Sequence, residues 1–133
     1  MADHHPWTYM RQRADTAGLL GKQLFVIHTR PAAGGLDAIF ANLKEHLAFQ
    51  KDLEERGIMF AAGPLGDEAD PDRWIGDGLV VIRAETLDAA REIAASDPMH
   101  RAGARSYTVR PWLVNEGTLT VRIGFASGRR ELI

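Results

Sequence analysis

The chain has 133 residues, of which 45% are hydrophobic and 26% are charged, and its net charge is -2 at pH 7. This length and apolar content are typical of one globular domain, and the balance of 16 basic and 18 acidic residues argues against a nucleic-acid-binding protein. The chain has no cysteine, so it has neither a disulfide nor a thiol nucleophile. Since neither a signal peptide nor an apolar run of roughly 18 residues is evident, we expect a cytoplasmic protein that does not bind membranes.

The first 22 residues form no sustained hydrophobic period, and we expect an N-terminal arm over 1–22. Adjacent histidines occur there at His4 and His5, but near a chain end such pairs are more often solvated than bound to a metal.

Residues 23–114 contain the patterns of four strands and two helices. The strands are rich in β-branched and aromatic residues and are bounded by glycine or proline, and we place them at 23–29, 58–62, 78–83 and 104–114. The first helix, over 36–57, has one apolar stripe and ends at Gly57, a residue that readily adopts the left-handed conformation. The second helix, over 87–95, begins after Thr86, a good N-cap.

The order strand, helix, strand, strand, helix, strand predicts an α+β protein with the ferredoxin-like fold, in which both helices cover one face of an antiparallel sheet. The first and third strands would be central, and both are apolar on their two faces. We therefore predict a homodimer in which two sheets close an α+β barrel. Pro111 cannot donate a backbone hydrogen bond, which favours an edge position for the fourth strand.

The last segment, 115–133, contains an alternation of apolar and polar residues from Leu119 to Phe125. This alternation predicts an extra C-terminal strand, followed by a polar tail over 127–133.

Several short motifs, taken in order, resemble the YciI-like (YCII-related) family over residues 23–113. The motifs are His46-Leu47, Gly57, Gly63-Pro64, Gly78, Asp97-Pro98 and Arg110-Pro111-Trp112. The resemblance implies a dimeric ferredoxin-like barrel and an active site built from a histidine–aspartate pair, here His46 and Asp97. One branch of that family removes chloride from chlorinated hydroxyhydroquinones. Met99 departs from the family pattern, which usually has an aromatic residue there, and this leaves the substrate open.

Both residues of the pair also have a structural interpretation. His46 lies at the edge of the apolar helix stripe, where a histidine is either catalytic or simply satisfied by a backbone carbonyl. Asp97 precedes Pro98, a typical helix start in which the aspartate caps the first turn. The capping and catalytic interpretations agree only if one carboxylate oxygen caps while the other reaches the ring.

The candidate substrate-binding residues have simpler alternatives as well. The set is His28, Gly63, Pro64, Arg110 and Trp112. His28 can equally end its strand at the surface, and large aromatics such as Trp112 are more often core or interface residues. Arg110 and Arg105 are each able to hold an anionic group, although a surface charge is the commoner role for both. Gly63-Pro64 followed by Gly66 can shape a backbone anion site.

The sequence thus favours a small enzyme without a cofactor, in which His46 moves a proton and Asp97 orients its ring. The expected ligand is a small aromatic or anionic molecule, and the expected reaction is an elimination, as in a dehydrochlorinase, or an isomerisation. The alternative is a non-catalytic module that binds or senses a small ligand in the same cleft. A metal held by His46, Asp97 and His28 ranks third.

Overall fold

The computed structural model describes residues 3–133. The chain forms two compact units, which are described separately here. One unit comprises Gln23–Trp112, and the other combines the N-terminal segment that ends at Lys22 with Leu113–Ile133.

The larger unit is built on a four-stranded sheet with the order β2-β3-β1-β4. The central strands pair antiparallel, with Ile27 opposite Val80, and β2 pairs antiparallel with the other edge of β3. The prediction that the first and third strands are central is confirmed, as is the edge position of the strand that contains Pro111. The strands are β1 (Lys22–Pro31), β2 (Met59–Pro64), β3 (Gly78–Ile82) and β4 (Arg105–Val114).

The helix predicted over 36–57 is divided at Asn42 into α2 (Gly35–Ala41) and α3 (Leu43–Glu55). The side chain of Asn42 donates a hydrogen bond of 2.8 Å to the carbonyl of Ala38, and asparagine often competes in this way with the regular helix pattern. The apolar periodicity continues through the break, so the sequence pattern alone did not reveal it. The division leaves His46 in the first turn of α3.

The ends of these helices follow the predicted signals. Gly57 has φ 72°, and the amide of Ile58 donates to the carbonyl of Leu53 at 2.9 Å, as expected where a helix ends in a left-handed residue. The helix α4 (Leu87–Ser96) begins with Thr86, whose hydroxyl accepts from the Ala89 amide at 3.1 Å. A short helix, α5 (Pro98–Arg101), follows after Asp97.

The core of this unit lies between the sheet and the helices. Side chains of the two central strands, including Phe25 and Ile82, pack against Ala90 and Ala94 of α4. A second cluster joins Ile39, Met99 and Ala104. Burial of a side chain of this size stabilises a fold by about 1.5–3 kcal/mol, and Met99 is completely buried. Met99 therefore anchors α5, and with it the position of Asp97.

The smaller unit contains more regular structure than the sequence predicts. The expected irregular arm includes a helix, α1 (Trp7–Ala17), which ends at Gly18 with φ 68°. The segment that precedes this helix supplies no capping side chain, and only Ala14 of the helix is buried. The sequence therefore contains neither a cap nor an apolar stripe that would predict the helix.

The predicted C-terminal strand is present but short, as β5 (Val121–Ile123). It pairs antiparallel with β6 (Arg130–Leu132), which lies in the segment expected to be a polar tail. The alternating pattern is absent from β6, where an ion pair of 3.4 Å joins Glu131 to Arg122 across the two strands.

The element order and strand order of the larger unit are consistent with the ferredoxin-like fold, and the α+β class is as predicted. None of the helices within residues 3–133 combines the length and the apolar character needed to cross a bilayer.

Candidate active site

His46 and Asp97 are in direct contact. The Nδ1 atom of His46 lies 2.9 Å from both carboxylate oxygens of Asp97. The two side chains are buried, with exposed fractions of 11% and 4%. The contact joins α3 to the start of α5 across 51 positions of sequence, so the fold brings together the two residues that the family resemblance indicates.

Asp97 acts at the same time as a helix cap. Its Oδ1 accepts a hydrogen bond of 2.9 Å from the Met99 amide, and Gln50 donates to Oδ2 at 3.4 Å. Asp97 therefore caps α5 and contacts the ring of His46 at the same time, and Oδ1 takes part in both contacts rather than the two oxygens dividing them.

Asp97 is held in its ionised form. Burial raises the pKa of this carboxyl, but the hydrogen bond and charge of His46, together with the Met99 amide, outweigh burial, and the net pKa lies below the ordinary value. A carboxylate only accepts hydrogen bonds, so Nδ1 of His46 carries a proton.

The other ring nitrogen of His46 is available for chemistry. Nε2 forms no hydrogen bond to any residue within 3–133, and His46 lines a cavity. In the neutral ring, with Nδ1 protonated, Nε2 bears a lone pair. This arrangement is the one that a general base requires.

The cavity lies between α3 and the strands β2 and β3, and its volume is about 690 Å³. Its walls are mainly apolar and include the aromatic rings of Phe60 and Trp74. Gly63 and Pro64, two of the predicted substrate-binding residues, also line it. The polar side chains at the cavity are those of Thr29, His46, Gln50, Lys51, Glu54 and Arg105.

Arg105, which the sequence interpretation named as a possible anion-binding residue but favoured as a surface charge, lies at the cavity. It is 9% exposed, so its assignment as a surface charge was wrong. Burial lowers the pKa of its guanidinium, against the opposing charges of Asp97 and Asp77. Strand alternation offered a signal, because Arg105 shares the helix-facing side of β4 with Val109, which packs on the core.

Three of the predicted substrate-binding residues lie outside this cavity. His28 alternates with Thr29 on β1, and Thr29 lines the cavity, so His28 points to the opposite face of the sheet. Arg110 and Trp112 likewise alternate with Val109 on β4 and share that opposite face. Their role as ligand contacts remains a prediction that the position of this cavity does not support.

Across residues 3–133, no group of three or more histidine, aspartate or glutamate side chains has the arrangement of a metal site. In particular His28, offered as a third ligand beside His46 and Asp97, pairs instead with Asp77 at 3.3 Å.

The fold and the site together define a small α+β protein with a buried histidine–aspartate pair at a ligand-sized cavity. Residues 23–113 match the model of the YCII-related domain, and the chain therefore belongs to the YCII-related family, as its motifs predict.

The chain also resembles a solved structure, that of 5-chloro-2-hydroxyhydroquinone dehydrochlorinase (TftG) from Burkholderia phenoliruptrix AC1100 in complex with 2,5-dihydroxybenzoquinone. The two chains are 25% identical, with a TM-score of 0.54, over 67% of this chain and 92% of the other. No curated protein matches the sequence.

Proposed function

We propose that this protein is an enzyme without a cofactor, in which His46 transfers a proton to or from a small aromatic or quinone-like substrate. The observation that carries the proposal is the contact of Nδ1 with both oxygens of Asp97, which leaves Nε2 unpartnered among residues 3–133 at the cavity. The neighbouring structure supports it, since that protein is a dehydrochlorinase with a quinone bound.

The proposed reaction is an elimination. In a keto tautomer of the ring, in which the carbon that bears chlorine is tetrahedral, Nε2 accepts a proton from a ring hydroxyl. The electron pair moves through the ring to form a new double bond, and chloride leaves from that carbon. The overall loss is one proton and one chloride ion, so no oxidant or reductant is required. Asp97 stabilises the imidazolium that forms, and a positioned acid–base group of this kind contributes about 10²–10⁴-fold to a rate.

The cavity suits such a substrate. Its volume of about 690 Å³ lies within the range of roughly 300–1,000 Å³ that is usual for small-molecule sites. Phe60 and Trp74 offer aromatic faces, and stacked or edge contacts with a substrate ring are favourable. Trp74 is held by a hydrogen bond of 2.7 Å from its Nε1 to the carbonyl of Asp77.

The test is chloride release from 5-chloro-2-hydroxyhydroquinone by the purified protein under anaerobic conditions. We expect turnover by the wild type, a loss of at least about 10²-fold in His46→Ala, and unchanged turnover in His4→Ala, which alters an exposed histidine. Circular dichroism checks that both variants are folded. Equal turnover in the wild type and His46→Ala would contradict the proposal.

The same experiment separates the enzyme from a ligand-binding or regulatory module. If the protein is such a module, 2,5-dihydroxybenzoquinone should stabilise the fold and be recovered unchanged, and no chloride should be released from the chlorinated compound.

We further propose that the protein forms a homodimer through its sheet. Trp112, on the face of the sheet opposite the helices, remains 42% exposed in the single chain. Exposed aromatic groups of this kind are enriched at interfaces. Sedimentation at micromolar concentration should show a dimer, and a monomer would contradict this proposal.

A further inference from the structure

Arg105 is the one buried arginine among residues 3–133. Its side chain forms no hydrogen bond or ion pair with any residue of that range, and its Nε atom is fully enclosed without a partner. Nevertheless it borders the cavity that holds His46. A buried guanidinium without an acceptor is costly, since burial removes the water that would otherwise solvate it.

The acidic groups near Arg105 do not supply that acceptor. Asp97 interacts with its charge, but the oxygens of this carboxylate are occupied by His46, Gln50 and the Met99 amide. Asp77 also interacts electrostatically with Arg105, but its side chain pairs with His28 at 3.3 Å.

We propose that Arg105 binds an oxyanion of the ligand that enters this cavity, either a carboxylate or an ionised ring hydroxyl. The inference rests on the proposed function only in that both use this cavity. A planar guanidinium presents paired donors that fit such oxygens, and charge-assisted hydrogen bonds of this kind are stronger than neutral ones.

A second unpartnered atom in the cavity wall is consistent with this ligand. Oε1 of Gln50 is buried and, within the described chain, accepts no hydrogen bond, while the Nε2 of the same amide donates to Asp97. Gln50 and Arg105 both line the cavity, between apolar walls. A ring that carries both a hydroxyl donor and an anionic oxygen complements these groups.

Other charges at the cavity are less suited to this role. Lys51 also lines it, but its side chain is 74% exposed and lies 3.9 Å from Glu55, so water and that carboxylate already satisfy it. Glu54 is exposed and would repel an anion. The buried guanidinium is therefore the group that should discriminate an anion from a neutral molecule of the same shape.

The test is calorimetric titration of the wild type with a matched pair of probes, 2,5-dihydroxybenzoate and its neutral methyl ester, and with 2,5-dihydroxybenzoquinone. We expect one anionic probe to bind at least about tenfold more tightly than the ester. If substitution of Arg105 lowers the affinity for the benzoate, the partner of Arg105 is a carboxylate. If the substitution lowers the affinity for the quinone, the partner is an ionised ring oxygen.

Arg105→Met should lose this preference while keeping its affinity for the ester, and Arg105→Lys should retain part of it. The matched control Arg101→Met removes an exposed arginine that does not line the cavity and should bind like the wild type. Arg105→Gln gives the same comparison if the methionine variant does not fold. The inference is overturned if the wild type binds neither anion more tightly than the ester, or if Arg105→Met, or Arg105→Gln in its place, keeps the full preference.

His46→Ala separates this inference from the proposed function. It should lose turnover yet keep the preference for the anion. Turnover that does not depend on His46 would contradict the proposed function alone, whereas an anion preference that does not depend on Arg105 would contradict this inference alone.

Discussion

Two histidine–aspartate pairs occur in the same unit of this protein, and they differ in almost every physical respect. His46 and Asp97 are buried and 2.9 Å apart, with both carboxylate oxygens on one ring nitrogen. His28 and Asp77 are 3.3 Å apart, with side chains 30% and 23% exposed.

The free nitrogen distinguishes the two pairs most clearly. A guanidinium nitrogen of Arg30 lies 3.4 Å from Nδ1 of His28. Because arginine can only donate hydrogen bonds, Nδ1 of His28 is the acceptor. Nε2 of His28 then donates to Asp77, so both ring nitrogens of His28 are engaged. His46 has one engaged nitrogen and one unpartnered within the described residues, at a cavity. The same two residue types therefore form one arrangement in which both ring nitrogens are engaged and another that leaves one nitrogen for the proposed role as a base.

Replacing each histidine by glutamine should give the largest difference between the pairs. His46→Gln should reduce turnover of any substrate by about 10²–10⁴-fold, because the imidazole that accepts the proton is lost. His28→Gln should reduce it by less than about fivefold, since its side chain points to the other face of the sheet. Steady-state kinetics on both variants measures this, and a similar loss in both would show that the pairs are functionally alike.

Replacing the aspartates by asparagine tests orientation of the ring. In Asp97→Asn the side chain can still cap α5, but it no longer carries the charge that stabilises the imidazolium. We expect kcat to fall by about tenfold or more. Asp77→Asn should leave kcat close to that of the wild type, and a fall of equal size there would contradict the distinction.

Removing the buried carboxylate should cost more stability than removing the partly exposed one. Asp97→Ala deletes a helix cap and a buried charge-assisted hydrogen bond, and we expect it to lower the free energy of unfolding by about 2–4 kcal/mol. Asp77→Ala removes a partly exposed pair, for which about 0–1 kcal/mol is expected. Urea unfolding at neutral pH measures both, and equal losses would show that burial does not separate the two pairs.

The pH dependence of stability gives the smallest of the expected effects. Because the folded state lowers the pKa of Asp97, its ionised form stabilises the fold above the ordinary aspartate pKa, and this contribution is lost as the pH falls below about 4. The difference in unfolding free energy between the wild type and Asp97→Asn should therefore shrink below that pH. A difference that stays constant down to about pH 3 would contradict the assignment.

The sequence predicted the elements whose signals are local. Gly57, Thr86 and Pro111 each indicated a helix end, a helix start or an edge strand through their own backbone chemistry, and the structure agrees. It did not predict the break at Asn42, because the apolar period continues through it, nor β6, which has no alternating pattern.

The site was predicted only in part, for a related reason. His46 and Asp97 were identified because their motifs resemble a family, whereas their contact depends on packing between α3 and α5 that no local pattern encodes. Arg105 was considered as an anion-binding residue but favoured as a surface charge because arginine is usually exposed, and its burial results from the tertiary position of β4. His28 was included because histidine is a common catalytic and binding residue, although its side chain lies on the face of the sheet opposite the cavity.

The most direct test of the central claim is the tautomer of His46 in solution. Long-range ¹H–¹⁵N correlation spectra of the wild type at about pH 8, assigned with His46→Gln, report which ring nitrogen carries the proton. We predict a protonated Nδ1 and an unprotonated Nε2 for His46, and the reverse for His28. A proton on Nε2 of His46 would remove the base from the cavity and contradict the account.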